Sequence, residues 1–324
     1  MRKLEQSLIR TRSVLRRAWS RVHTTDPDLV APARLVLQLD DTALPGSMGT
    51  ATPLSLAEWS QTIAAVVARQ GPLPVTVLAT HSAGTDPVVE LVRFAHRLEC
   101  PTRLITDGSG IDAHRAGQFL DAGLGAVRVL VGGVSEAVQR VTVGNAATDA
   151  TTAVAVLVAA RAERDYPLDI EIDIPWVEGV TTELSAVVGW ARQAGADGFR
   201  IVAPYRAHGL PADPELLDAI VDDAQGFCRN TATSIENLHS MVAHQDGAPG
   251  IARKRRRCPV AGQRVVIGAG RAVYSCPFHA PIGSLDGEFA DVWAQSRTHI
   301  EAIASCNRAC VHTELAPQPI FGLS

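Results

Sequence analysis

No run of about 18 apolar residues occurs anywhere in the chain, so no helix is expected to cross a membrane. The N-terminus has no apolar core of the signal-peptide kind. Aromatic side chains make up 5% of the 324 residues and the net charge is −4, which removes any global electrostatic reason to expect nucleic acid. Cysteine is scarce: six residues, four of them beyond position 257, too few and too uneven for the disulfide framework of a small secreted domain. A cytoplasmic, reducing location is expected, with thiols that are free or metal-bound. One local absence matters most. The stretch LVLQLDDTALPGSMGT at 35–50 runs from an apolar strand into a Gly/Pro loop that holds two carboxylates, a serine and a methionine but no cysteine.

Hydrophobic side chains are plentiful, at 46%, enough for a sizeable core. Residues 1–30 read as a basic helix. Leu4, Leu8, Leu15, Trp19 and Val22 share a stripe, with Arg10, Arg12, Arg16, Arg17 and Arg21 around it. Such a helix docks on its own domain, or on a partner or membrane surface. From 31 to 240 strand, loop and helix alternate. Strands are expected at 35–40, 75–80, 102–106, 126–131, 168–174 and 198–203, and helices near 55–69, 86–98, 111–122, 147–163, 181–194 and 213–224. Ser55 and the pair Asp86-Pro87 read as helix starts. Repeated βα units predict an α/β fold with a parallel sheet and helices outside. Six units fall two short of a closed barrel, and a doubly wound sheet is the competing arrangement.

Beyond 250 the texture changes. Arg253–Arg257 is a basic run ahead of Cys258, and Arg264–Ile267 and Ala272–Tyr274 flank Gly268-Ala-Gly270 as a hairpin. Cys276-Pro-Phe-His and Cys306-Asn-Arg-Ala-Cys310 follow. Residues 250–324 read as a small, cysteine-bearing module.

The order of these features resembles the radical S-adenosylmethionine (radical SAM) superfamily, in its members with a C-terminal SPASM or twitch extension. The resemblance spans about residues 33–315 and implies a partial (β/α)6 TIM-type barrel. In that family strand one runs into a CxxxCxxC loop that carries a [4Fe-4S] cluster, and a helix start like Pro53–Trp59 follows. Counting between the two places the family cysteines on Ala43, Ser47 and Thr50. The GGEP motif, which holds the methionyl amino group, falls on Thr80, His81, Ser82 and Ala83, and the "tNG" after strand three is Thr106-Asp-Gly108. After strand four the family pattern corresponds to Val131–Gly133 and Val141–Gly144. The C-terminal pattern matches Cys258, Gly270–Phe278, Ile282–Leu285, Asp291–Trp293, Cys306 and Cys310, with a Gly270-to-Cys276 gap one residue longer than the family form.

Cleavage of S-adenosylmethionine needs an iron with one open site, held by three thiolates; alcohols do not hold such clusters. With the thiolates and the GGEP platform both gone, SAM is not expected to be cleaved or bound at these positions. Asp40, Asp41 and His81 offer a counter-reading as a divalent-ion site at the barrel mouth; the simpler reading is local capping and packing.

In Leu168–Ile174 the isoleucines share one face and Asp169, Glu171 and Asp173 the other. With helices outside, the three acids point into the barrel. The same parity turns Gln38 and Asp40 inward, and Arg103, Arg128 and Arg200 are the inward cations that would pair with the acids. The set serves as a salt-bridge network, a pocket for a small ligand or peptide end, or a catalytic acid–base group.

Cys258, Cys276, Cys306 and Cys310 suit either tetrahedral Zn²⁺ or a [4Fe-4S] cluster. The resemblance favours one auxiliary [4Fe-4S] cluster; His279 and His312 are alternate ligands, while Cys100 and Cys228 are ordinary thiols. The basic run could raise thiolate occupancy or attract an acidic peptide. The resemblance implies a partner or substrate-binding subunit in peptide or natural-product modification, with a catalytic radical SAM enzyme or a peptide as its partner. The alternatives are an enzyme using the auxiliary cluster or the lumen for another reaction, and a zinc-stabilised binding module.

Overall fold

The computed structural model describes residues 32–39, 53–80, 83–143, 146–175, 183–202, 264–275, 281–286, 289 and 291–294. The N-terminal basic helix, the helix expected near 213–224 and the basic run at 253–257 lie outside them.

Six strands follow one another with helices between: β1 (Arg34–Gln38), β2 (Val75–Leu78), β3 (Thr102–Thr106), β4 (Ala126–Leu130), β5 (Asp169–Pro175) and β6 (Gly198–Val202). The sheet order is β6-β5-β4-β3-β2-β1, every pair parallel. Each crossover moves one place in the same direction, and right-handed crossovers then put every helix on one face. This is the partial (β/α)6 arrangement; a doubly wound sheet would reverse direction and place helices on both faces.

The helices are α1 (Leu56–Gln70), α2 (Asp86–Arg97), α3 (Ala113–Asp121), α4 (Glu136–Thr142), α5 (Ala147–Glu163) and α6 (Leu184–Ala194). Helix α4 was not expected from the sequence. Helix α2 starts at Asp86, as expected. Its cap residue is Thr85, which makes no side-chain capping bond, and Pro87 sits in the first turn where a missing N–H costs nothing.

The hairpin expected at 264–274 forms, and it joins the barrel. Strand β7 (Arg264–Gly268) runs parallel to β1, with Arg34 opposite Arg264 and Gln38 opposite Gly268. Strands β8 (Ala272–Tyr274) and β9 (Gly283–Ser284) extend the same sheet in antiparallel pairs.

The convex face carries the core. Val77, Leu104, Val127, Val129, Ile170 and Ile172 are fully buried against Val92, Phe119, Leu157 and Val187 from the helices. Each such side chain stabilises the fold by about 1.5–3 kcal/mol. A second cluster packs Leu35, Leu37 and Ile267 under Trp59 and Ile63 of α1 and under Trp293, which stacks on Phe289 at 6.1 Å. The C-terminal segment thus shares a core with the first βα unit.

Two contacts fix where the β1–α1 loop re-enters the fold. Leu54 N–H donates to the Ala269 carbonyl at 3.1 Å, and Arg271 at the hairpin turn pairs with Glu58 of α1. Ser55 caps α1 with a reciprocal box: Glu58 N–H donates to the Ser55 hydroxyl, and Ser55 N–H donates to the Glu58 carboxylate at 2.8 Å. The Ser55 amide and hydroxyl, then Arg271, hold the Glu58 carboxyl down at about 2. A depressed carboxyl stabilises the fold above its unfolded value, and that contribution is lost as pH falls towards 2. Ser55→Ala should therefore lower the unfolding free energy by about 1 kcal/mol at neutral pH, and the gap to wild type should narrow as pH falls towards 2, as read by urea denaturation.

Candidate functional site

The strand ends that form the barrel mouth are held by close backbone approaches and by side chains turned onto loop amides. After β2, Ala83 is a buried core residue and Thr80 is partly exposed. A Cβ at Gly84 would lie 2.6 Å from the Gly110 carbonyl oxygen, so glycine is needed where these two loops touch. After β3, Gly108 adopts a φ of 91°, and its N–H donates to the Thr106 hydroxyl at 3.0 Å. Asp107 is buried there, and its carboxylate accepts from Ser109 N–H at 2.9 Å.

The loop after β4 is a row of amides already filled from within. Gly132 and Gly133 N–H donate to the Gln139 side-chain oxygen at 2.8 and 3.2 Å. Val134 and Ser135 N–H donate to the Glu183 carboxylate at 2.8 and 3.0 Å, and the Ser135 hydroxyl also donates to it. These bonds hold the Glu183 carboxyl below its ordinary range despite the opposing effect of burial.

The positions that correspond to the family's cluster and GGEP motifs fall mostly outside the described residues (Ala43, Ser47, Thr50, His81 and Ser82), and so do Asp40 and Asp41 of the divalent-ion reading. So do Cys258, Cys276, Cys306 and Cys310. The donor chemistry of the β1–α1 loop can still be tested against the group the resemblance implies. The first cysteine of the chain is Cys100, a buried thiol in the second core cluster. The loop thus has no thiolate, and a site-differentiated [4Fe-4S] cluster does not fit it.

The concave face brings the expected lumen residues together. Asp169, Glu171 and Asp173 alternate with Ile170, Ile172 and Ile174, which are fully buried on the helix side. Arg128 on β4 donates through Nε to Glu171 at 2.8 Å, with 4% of the arginine side chain exposed. Arg200 and Asp173 are register partners on β6 and β5, both nearly buried, with Nε 4.0 Å from the carboxylate. Arg103 lies one strand beyond Arg128. Burial first, then Arg128 and Arg34, pull its guanidinium down to about 9, while Glu171 and Asp169 oppose the shift.

Asp169 stands at the start of β5, near Glu171 and Asp197. Burial, then the neighbouring Glu171 and Asp197 carboxylates, push its carboxyl upward, and Arg103 and Arg128 offset that only in part. It is the group on this face with the character of a proton donor.

Two lumen residues escaped the sequence reading: Arg34 and Arg264, buried neighbours at the start of β1 and β7. Arg34 has the parity of Val36 and Gln38 but lies one residue before the expected strand. Arg264 was read as part of a separate module.

No family model and no curated protein matches the sequence. Solved structures do match in shape. Streptococcus suis SuiB bound to S-adenosylmethionine has a TM-score of 0.58 at 11% identity, over 81% of this chain and 63% of that one. SuiB bound to the precursor peptide SuiA gives 0.59 at 11% identity, over 81% and 64%. Native anSMEcpe with bound AdoMet gives 0.54 at 12% identity, over 83% and 82%. The chain spans just under two thirds of SuiB's length. At these identities the likeness is one of fold.

Two measurements test the lumen. A carboxyl raised in the fold loses stability as pH climbs above its unfolded value, because the folded state binds the extra proton. Asp169→Asn should therefore be more stable than wild type at neutral pH and equal to it in acid, as read by urea midpoints. Glu171→Ala removes the carboxylate that the buried Arg128 Nε donates to and should cost about 2–3 kcal/mol, less than for a fully buried pair because Glu171 keeps some exposure; the double variant Arg128→Met/Glu171→Leu should recover most of it.

Proposed function

We propose that this chain is a degenerate radical SAM-like protein that works by binding, as a partner or substrate-binding subunit in peptide or natural-product modification. The observation that carries this reading is the lack of any cysteine between β1 and α1, on a fold similar to structures solved with AdoMet bound. Without three thiolates the loop cannot present an open iron to a methionyl group. The altered positions Thr80, His81, Ser82 and Ala83 support the same conclusion from a second motif.

A peptide substrate or peptide partner is supported by the neighbours in shape: SuiB was solved with its precursor peptide SuiA, and anSMEcpe with a Cp18Cys peptide. A catalytic radical SAM enzyme is the proposed protein partner. Cys258, Cys276, Cys306 and Cys310 are proposed to hold one auxiliary [4Fe-4S] cluster with no open iron, which would stabilise the C-terminal module; zinc is the alternative. A second reading, catalysis in the lumen, is favoured by the raised Asp169 carboxyl. Loss of activity in Asp169→Asn with the fold intact would favour that reading over binding alone.

Anaerobically prepared protein should carry about four iron and four sulfide per chain, and Cys276→Ala should abolish both. One zinc in their place would support the structural-zinc form. With reductant and SAM, the chain alone should form no 5′-deoxyadenosine. Formation of that product by the isolated chain would overturn the proposal.

A further inference from the structure

The concave face has a second, cationic half that the proposed function does not use. Arg34 and Arg264 are the first residues of β1 and β7, Arg103 is the second of β3 and Arg128 is the middle residue of β4, so most of the cluster lies towards the end of the barrel opposite its mouth. These four arginines line a cavity with about 20 Å³ open to the centre of a water-sized sphere. That is room for about one water-sized group. Thr76, Gln38 and Val266 are among its other walls, and no carboxylate lines it among the described residues. The acids of the lumen stand on β5, where Glu171 engages Arg128 and Asp173 lies beside Arg200.

Arg264 is 2% exposed, and its Nε and Nη2 have no hydrogen-bond partner among the described residues. The buried Nε of Arg103 has none either. A guanidinium in this state is costly unless an oxyanion completes it. Burial and neighbouring cations already depress Arg103, as expected where positive charge is in excess.

We propose that the Arg34–Arg103–Arg128–Arg264 cavity is a binding site for a small carboxylate, taken between the unsatisfied N–H groups of Arg264 and Arg103. The planar fork of a guanidinium matches two carboxylate oxygens, and the small cavity limits what enters to the head group of the acid. The carboxylate belongs either to a free small acid or to the end of a peptide. The site stands on its own geometry and does not depend on whether the chain has lost radical chemistry.

The test uses the full chain. Its thermal midpoint is followed against sodium acetate, with sodium chloride exchanged to hold ionic strength constant, and calorimetric titrations use trialanine and its C-terminal amide. Acetate should raise the midpoint saturably. Trialanine binding where its amide does not would identify a peptide end as the source; acetate acting while trialanine does not would identify a free acid. Arg264→Gln should weaken binding about tenfold, the loss expected for one charged hydrogen bond. Arg103→Lys, which keeps the charge and loses the fork, should weaken it as well, and decides the matter if Arg264→Gln does not fold. No saturable response to acetate or trialanine in folded wild-type protein would overturn the site, as would unchanged affinity in the folded variants.

Discussion

Arg128 and Glu171 meet at 2.8 Å on adjacent strands whose other faces are sealed by hydrocarbon, and the barrel is organised around that constraint. Charges on the concave face cannot be answered through the helix layer, so they must be answered within the lumen. A buried pair of this kind adds little net stability, because desolvation offsets most of the attraction. Its effect is on register. A slip of one residue in β5 would drive Asp169, Glu171 and Asp173 into the layer that holds Phe119 and Leu157, and expose three isoleucines to the lumen. The same penalty applies to Arg103, Arg128 and Arg200. Charge alternation thus makes alternative pairings of these parallel strands far worse than the observed one.

The mouth of the barrel is stiffened by different means. Gln139 and Glu183 occupy the amides that follow β4, and Arg271 with Ala269 ties the hairpin turn to the start of α1. The Arg271–Glu58 pair alone spans 213 positions in sequence, so the frame around the β1–α1 loop is set by distant parts of the chain. Side chains mounted on such a frame are held in place by contacts from several elements.

Which features could be read from the sequence follows from how local their causes are. The Leu168–Ile174 alternation and the Ser55 capping box are written within a few neighbouring residues, and the six parallel strands could be placed from such signals. Helix α4 could not. It is seven residues long, follows two glycines, and has its N-cap Ser135 held by Glu183, 48 positions away. The pairing of β7 with β1 is equally silent, since two apolar strands some 230 positions apart carry no local mark of being neighbours. That pairing is what brings Arg264 beside Arg34. The arginine cavity was therefore invisible in a reading that assigned the two residues to different modules.

Electrostatics and donor chemistry converge on one direction for the lumen. Among the described residues its concave face carries Arg34, Arg103, Arg128, Arg200 and Arg264 against Asp169, Glu171 and Asp173, and Asp169 is biased towards its neutral form. S-adenosylmethionine carries a sulfonium and an ammonium against one carboxylate, so a surplus of buried guanidinium works against its net charge. An anionic group gains from the same field. The β1–α1 loop contains no cysteine and so offers no thiolate, and at the other end of the strands the unsatisfied N–H groups of Arg264 and Arg103 are suited to an acid. Neither observation depends on the other, since one lies in the composition of a loop and the other in the register of β1, β3, β4 and β7.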